Sequence, residues 1–409
     1  MKAESLAGRI ECSGSARNML YDSAGAPFAF PIAPEFTNWR DEQDAWRKTA
    51  IFQDMSFHMW NMSIEGRDIN RLLSDFGINS FAAFGPMQAK QYVCCNSDGH
   101  YVGDAILTCE EEQQVYLVGK PNLLNWVRFH LETGKYDARV TAFDKPSLNL
   151  ADRRLFRFQV QGPNAQAIID EATEGNGPPI CFFKMGRFRI GRHDVTALNH
   201  RMSGAPGYEM WGPADIGLEV TNTILNVGKK HGLRRLGGRN YPVTATESGW
   251  IGSALPAIYT GDATRAYREW LAAESYETNA SIGGSFPTGD VDDCYLTPFD
   301  MGYGFMVKFD HEFCGRQALE GRAKSNARRS GSYGIPMTRR RSMRACMAMV
   351  NVSNTWKCRS LTTRPSRWMR FCSTDKGSVS HFIPFIRLNR EPGFLSQSSM
   401  QTSPRSVGT

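Results

Sequence analysis

The chain has 409 residues, 41% of them hydrophobic, and a formal net charge of +7. That size and apolar share exclude wholesale disorder and call for two or three domains around a large core. No apolar run reaches the roughly 20 residues of a membrane span, and Met1–Ile10 has no hydrophobic signal core, so a cytoplasmic protein without a membrane partner is expected. The ten cysteines form no C-x-x-C pair, which speaks against a zinc ribbon or a dithiol motif and for free thiols in a reducing compartment.

The charge is unevenly spread. Residues 324–409 hold sixteen Lys and Arg against two acids, Asp375 and Glu391, which leaves the first 323 residues net acidic. The basic stretch shows neither the period of a strand nor that of a helix. Single aromatics among its basic residues are a weak sign of a nucleic-acid arm, and no specific nucleic-acid partner is expected.

In chain order, Thr37 or Asn38 caps a helix running to Lys48, with Asp41 and Glu42 in its positively polarised first turn. A strand is predicted over Met59–Ile64, and Gly66 leads to a helix over Asp68–Phe76. Tyr92–Cys95 and Tyr101–Thr108 flank the turn Ser97-Asp98-Gly99 as a hairpin, followed by a strand at Val115–Val118. Pro121 opens a helix with Leu124, Val127 and Leu131 on one face, and Gly134 ends it. The same grammar then recurs. Phe156–Val160 is a strand, and Gly162-Pro163 opens a helix through Ala172. Phe188–Ile190 and Val195–Asn199 form a hairpin, Tyr208–Trp211 a strand, and Gly212-Pro213 opens a helix ending near Gly232. Gly66 corresponds to Gly162 and Pro121 to Pro213, so one supersecondary unit is used twice, giving an α+β body with a cleft between its halves.

No P-loop, no H-E-x-x-H and no G-x-S-x-G elbow is present, and the eight histidines are spread singly, so no metal site is expected. The polar and aromatic residues that stand out lie in five stretches: Ala33–Arg40 with Ser56–Met59, Lys90–Tyr92 with Gly103-Asp104, Val118–Pro121, Met202–Glu209, and Gly237–Pro242 running into Glu247–Trp250.

Together with Leu255–Asp262 and Val307–His311, these stretches resemble, in order and spacing, the tetrahydrofolate-dependent aromatic O-demethylases acting on vanillate, 3-O-methylgallate and syringate. Those enzymes belong to the folate-binding superfamily of the glycine-cleavage aminomethyltransferase, or T-protein. The resemblance spans about residues 30–323. It implies a T-protein-like folate-binding fold and transfer of a methyl group from an aryl ether to N5 of tetrahydrofolate. A donor at the ether oxygen is then needed, and the resemblance places Tyr241 there as catalytic acid. A tyrosine of ordinary pKa would match a phenol leaving group.

By the same resemblance, Glu209 reads the pterin edge, Trp250 covers a pterin face, and Tyr92 and Asp104 lie near the folate. His58 and Lys120 hold the aromatic acid, with His58 counted as catalytic. Lys120 stands where the demethylases have Arg, a point charge instead of a planar fork. Phe28 and Phe30 stand in the substrate pocket where Tyr is expected. Aminomethyltransferases carry two adjacent acids where this chain has Gly103-Asp104, which speaks against aminomethyl transfer. The alternatives are a folate-dependent demethylase of another small methyl donor and a folate-binding module with little turnover.

The expected organisation is a first folate-binding half-module over 1–150, a second with a connecting segment over 151–323, and the basic tail over 324–409 in place of the family's β-barrel domain. Read one frame over, permitted codons for Tyr333–Arg340 and Ser342–Cys358 spell family-like sequence, so the tail is expected to be out of frame.

Overall fold

The computed structural model describes residues 4–23, 32–145, 152–252, 254–282 and 289–330. Phe28, Phe30 and the tail beyond Ser330, with the expectation of a shifted frame, lie outside the described residues.

Three helices open the chain: α1 (Leu6–Cys12), α2 (Ala16–Asp22) and α3 (Trp39–Lys48). Asn38 caps α3 as its sequence predicts, its side chain accepting the Arg40 N–H at 3.0 Å. A strand β1 (Ala50–Asp54) follows, and then the first unit begins. It runs β2 (Trp60–Gly66), α4 (Ile69–Phe76), β3 (Gln88–Cys95), β4 (Tyr101–Glu111), β5 (Gln114–Gly119), α5 (Pro121–Thr133) and β6 (Ala138–Asp144). The second unit repeats that order as β7 (Leu155–Gln161), α6 (Ala165–Ala172), β8 (Met185–Ile190), β9 (His193–Asn199), β10 (Gly207–Pro213), α7 (Gly217–Gly228) and β11 (Leu233–Arg235). Then come α8 (Asn240–Ser248), α9 (Arg265–Trp270) and α10 (Arg316–Ser330).

The two sheets share one topology. The first is ordered β3-β4-β5-β2-β6 and the second β8-β9-β10-β7-β1-β11. They differ by β1, which wedges between β7 and β11, antiparallel to the first and parallel to the second. The paired glycines show how closely β1 takes the place of β6. Gly66 has φ +144° and lies opposite Ala138, and a Cβ there would sit 2.2 Å from the Asp137 carbonyl oxygen. Gly162 has φ +127°, and its Cβ would sit 2.6 Å from the Thr49 carbonyl oxygen at the start of β1. In both units the strand beside β2 or β7 therefore closes on a glycine that no other residue could replace without displacing backbone.

Each sheet packs helices on one face. Met62, Ile64, Leu107 and Leu117 join α4 and α5 in one core, and Phe158, Val160, Met210 and Ala197 join α6 and α7 in another. Between the units lies a smaller apolar seam of Ala89, Met185, Leu198 and Trp211. The Trp211 indole N–H donates to Glu110 across it at 2.8 Å. Among the described residues, no helix is long and apolar enough to cross a membrane.

Candidate functional site

The inner face of the second sheet is polar. On β7, Arg157, Gln159 and Gln161 alternate with Phe156, Phe158 and Val160, a pattern that in an isolated strand would point to water. Here Arg157 is 7%, Gln159 2% and Gln161 0% exposed. Gln53 on β1, Gln159 on β7 and Glu209 on β10 are direct cross-strand partners, so they form one lateral row. Glu209 accepts from Arg157 Nη1 at 2.5 Å and from Gln159 Nε2 at 3.4 Å. His200 Nδ1 lies 3.9 Å away. Burial opposes ionisation of Glu209, but the Arg157 charge, His200 and these hydrogen bonds outweigh it and hold the carboxyl below the usual range. Burial also lowers the basicity of His200, with Arg157 adding to it. Neither amide atom of the fully buried Gln53 has a hydrogen-bond partner among the described residues, nor does Gln159 Oε1.

The turn after β1 carries His58, whose N–H donates to the Met55 carbonyl at 3.0 Å. Burial, with the charges of Lys120 and Arg157, lowers the imidazole pKa to about 3, so the ring is neutral at physiological pH. Tyr241, in the first turn of α8, packs its ring against His58 with centroids 3.9 Å apart and planes tilted by 58°. Burial and the charges of Glu209 and Asp104 raise the phenol well above its ordinary pKa. Tyr241 is thus a hydroxyl held protonated, and the pKa match to a phenol expected from the sequence does not hold in this setting.

Asp104 on β4 is a hydrogen-bond hub. One oxygen accepts from Tyr101 Oη at 2.7 Å. The other accepts from Gln91 Nε2 and Tyr303 Oη, both at 2.7 Å, and from Trp250 Nε1 at 3.2 Å. Lys120, at the N-cap of α5, donates its ammonium to the Gly252 carbonyl. Burial lowers its pKa against the opposing pull of Asp104. A small depression lies under the His58 turn, lined by Met55, Met59, Asn61, Tyr116, Val118 and Arg157 among others.

The structure thus brings Tyr241, His58, Lys120, Asp104, Trp250 and Glu209 into one electrostatic neighbourhood. It does not bring Tyr92 there. Tyr92 is 0% exposed in the core behind the sheet, its hydroxyl donating to the Leu73 carbonyl at 3.2 Å and its ring edge-on to Phe81. The side chain facing Asp104 from β3 is its neighbour Gln91, because successive side chains alternate between faces. Arg157, Gln159 and Gln53 are further polar members of the site that motif reading passes over. The signal for Arg157 and Gln159 is the period-2 polar stripe in Leu155–Gln161, visible only once β7 is known to be a central strand. Among the described residues, no group of three or more His, Cys, Asp or Glu is placed to hold a metal ion.

The fold is thus a doubled β-α-β-β-β-α-β unit around a buried polar row. The model of the GCVT N-terminal domain matches residues 13–254. The syringate O-demethylase of Sphingobium sp. (strain NBRC 103272 / SYK-6) is 40% identical over 320 residues, 78% of this chain and 69% of that protein. The sesamin methylene transferase of Sinomonas sp. (strain No.22) is 25% identical over 267 residues, 64% of this chain and 56% of that protein. Among solved structures, the glycine cleavage system aminomethyltransferase T from Bartonella henselae shares the fold. Its TM-score is 0.51 at 18% identity, covering 74% of this chain and 72% of that one. The chain belongs to the T-protein superfamily and, within it, to the tetrahydrofolate-dependent O-demethylases.

Proposed function

We propose that this chain transfers the methyl group of a methoxylated aromatic acid, of the vanillate, syringate and 3-O-methylgallate class, to N5 of tetrahydrofolate. The products are 5-methyltetrahydrofolate and a phenol. The observation that carries this reading is the meeting of two groups of side chains: the protonated Tyr241 packed at a tilt against neutral His58, and the buried row Gln53–Gln159–Glu209. The substrate class rests on the syringate O-demethylase relative.

The row suits a pterin. A buried polar atom without a partner costs about 1–3 kcal/mol, so Gln53 and Gln159 await a ligand with donors and acceptors along one edge. The Glu209 carboxylate, kept ionised by Arg157, accepts the N–H groups of that edge. Trp250, hydrogen-bonded to Asp104, supplies an aromatic face. Tetrahydrofolate contributes N5 as methyl acceptor and gives up the N5 proton. Tyr241 supplies the proton that the departing aryl oxygen needs, so one proton is gained at the phenol as one is lost at N5. A hydroxyl positioned at the ether oxygen donates as charge develops there, and general acids of this kind contribute roughly 10²–10⁴-fold. His58 packs the Tyr241 ring, and Lys120 supplies the buried positive charge for the substrate carboxylate.

In this reading residues 1–150 and 151–323 are the two folate-binding half-modules. The partners are the aromatic acid and the folate, with neither a membrane nor specific nucleic acid. The seven described cysteines are all free, in keeping with the reducing cytoplasm. The test is incubation with tetrahydrofolate and each aromatic acid, followed by chromatography for 5-methyltetrahydrofolate and the matching phenol. Methylated folate formed in step with phenol supports the reading, and folate left unmodified contradicts it.

A further inference from the structure

Glu42 stands in the first turn of α3, where sequence alone gives it a role in complementing the helix dipole. The structure gives it another. It is 0% exposed, with no cation among its hydrogen-bond partners. Instead its carboxylate is filled by donors from two loops. Oε1 accepts the backbone N–H of Phe36 at 2.6 Å, that of Thr37 at 2.8 Å and the Thr37 hydroxyl at 3.4 Å. Oε2 accepts the Gly237 N–H and the Asn240 Nδ2–H, each at 2.9 Å. Asn240 is itself 0% exposed and immediately precedes Tyr241.

The two loops touch backbone to backbone. The Gly238 N–H donates to the Ala33 carbonyl at 3.0 Å and the Arg239 N–H to the Pro34 carbonyl at 3.1 Å. A Cβ on Gly237 would lie 2.3 Å from the Pro34 oxygen. The same helix α3 also holds the far end of α8, since Gln43 Nε2 donates to Glu247 at 3.2 Å and Arg47 pairs with that carboxylate. Further on, α3 packs through Ala45 and Trp46 on Ile51 of β1, the strand that leads into the His58 turn. One helix therefore grips the α8 carrier of Tyr241 at both ends and seats the strand that delivers His58.

We propose that Glu42 is the positioning residue for Tyr241. It fixes the start of α8, and so the reach of the Tyr241 hydroxyl, through Asn240 and Gly237. A carboxylate is required because all five contacts are donors, and hydrogen bonds to an ionised acceptor are about twice as strong as neutral ones. In Glu42→Gln one side of the group becomes an N–H₂ facing N–H donors, so the loops must part. This inference rests on the reading of Tyr241 as proton donor, and its test separates the two.

The experiment compares Glu42→Gln, Tyr241→Phe and the double variant. It records the single-turnover rate of methyl transfer to tetrahydrofolate and the folate dissociation constant. Glu42→Gln is expected to slow transfer about 100-fold, the scale of a displacement of about 1 Å at a reacting group, with folate affinity unchanged. Added to Tyr241→Phe, it is expected to slow transfer no further, because it acts through a hydroxyl already gone. An unchanged rate, losses that multiply, or a parallel fall in folate affinity would each overturn the positioning role while leaving Tyr241 as donor intact. A Tyr241→Phe enzyme of parental rate would overturn the donor reading, and this inference with it. Should Glu42→Gln fail to fold, Asn240→Ala removes one of the five bonds and is judged by the same outcomes.

Discussion

The Tyr241 ring packs on the His58 imidazole with centroids 3.9 Å apart, so the end of the β1 turn meets the start of α8. Both rings are uncharged at neutral pH, for opposite reasons. Burial and nearby cations strip the proton from His58, while burial and nearby carboxylates keep the proton on Tyr241.

Tyr241→Phe keeps the ring contact and removes the proton. Methyl transfer is expected to fall roughly 10²–10⁴-fold with folate affinity unchanged. Stopped-flow single turnovers and a folate titration check this, and a rate close to the parent's would remove Tyr241 from the acid role.

His58 gives stability a pH dependence of known sign. The unfolded chain takes up a proton at this histidine near pH 6.5, but the folded chain only near pH 3. Between those values the unfolded state binds more protons, so this contribution is fully present above about 6.5 and is lost as pH falls toward 3. Denaturant titrations of the parent and His58→Gln across that window should show a shallower pH slope in the variant. Equal slopes would mean that His58 titrates normally in the folded protein.

The Arg157–Glu209 pair separates stability from recognition. Glu209→Gln leaves a buried guanidinium without its counter-charge, which costs on the order of 3–5 kcal/mol. Adding Arg157→Met should return most of that stability but not the folate affinity. Recovery of both by the double variant would place the pterin away from Glu209.

Lys120→Met should raise KM for carboxylated aromatic substrates and leave folate affinity unchanged. The same substitution should matter little for a methoxyphenol without a carboxylate. An equal loss with both substrates would assign Lys120 to holding the Gly252 carbonyl and not to substrate charge.

Much of the fold was legible because its signals are local. Asn38 caps α3, and Gly66 and Gly162 close equivalent strands, each from a residue type whose backbone role is visible in sequence. The placement of β1 was not legible. Ala50–Phe52 are buried without alternation, and the strand's partners lie beyond residue 154, so nothing local marks it as the wedge in the second sheet. In the site, single-residue register decided the errors. Tyr92 and Gln91 differ by one position, and the pleat sends the first into the core and the second to Asp104. Arg157 reads as a solvent-facing residue until β10 and β1 are known to flank its strand.

The most direct measurement follows the methyl group itself. Syringate labelled with ¹³C in its methoxy groups is incubated with the protein and tetrahydrofolate, and the folate is examined by ¹³C NMR. The account predicts label on N5 of the folate, appearing together with the demethylated phenol. Label that stays on the aromatic ring, or leaves it without reaching N5, would contradict it.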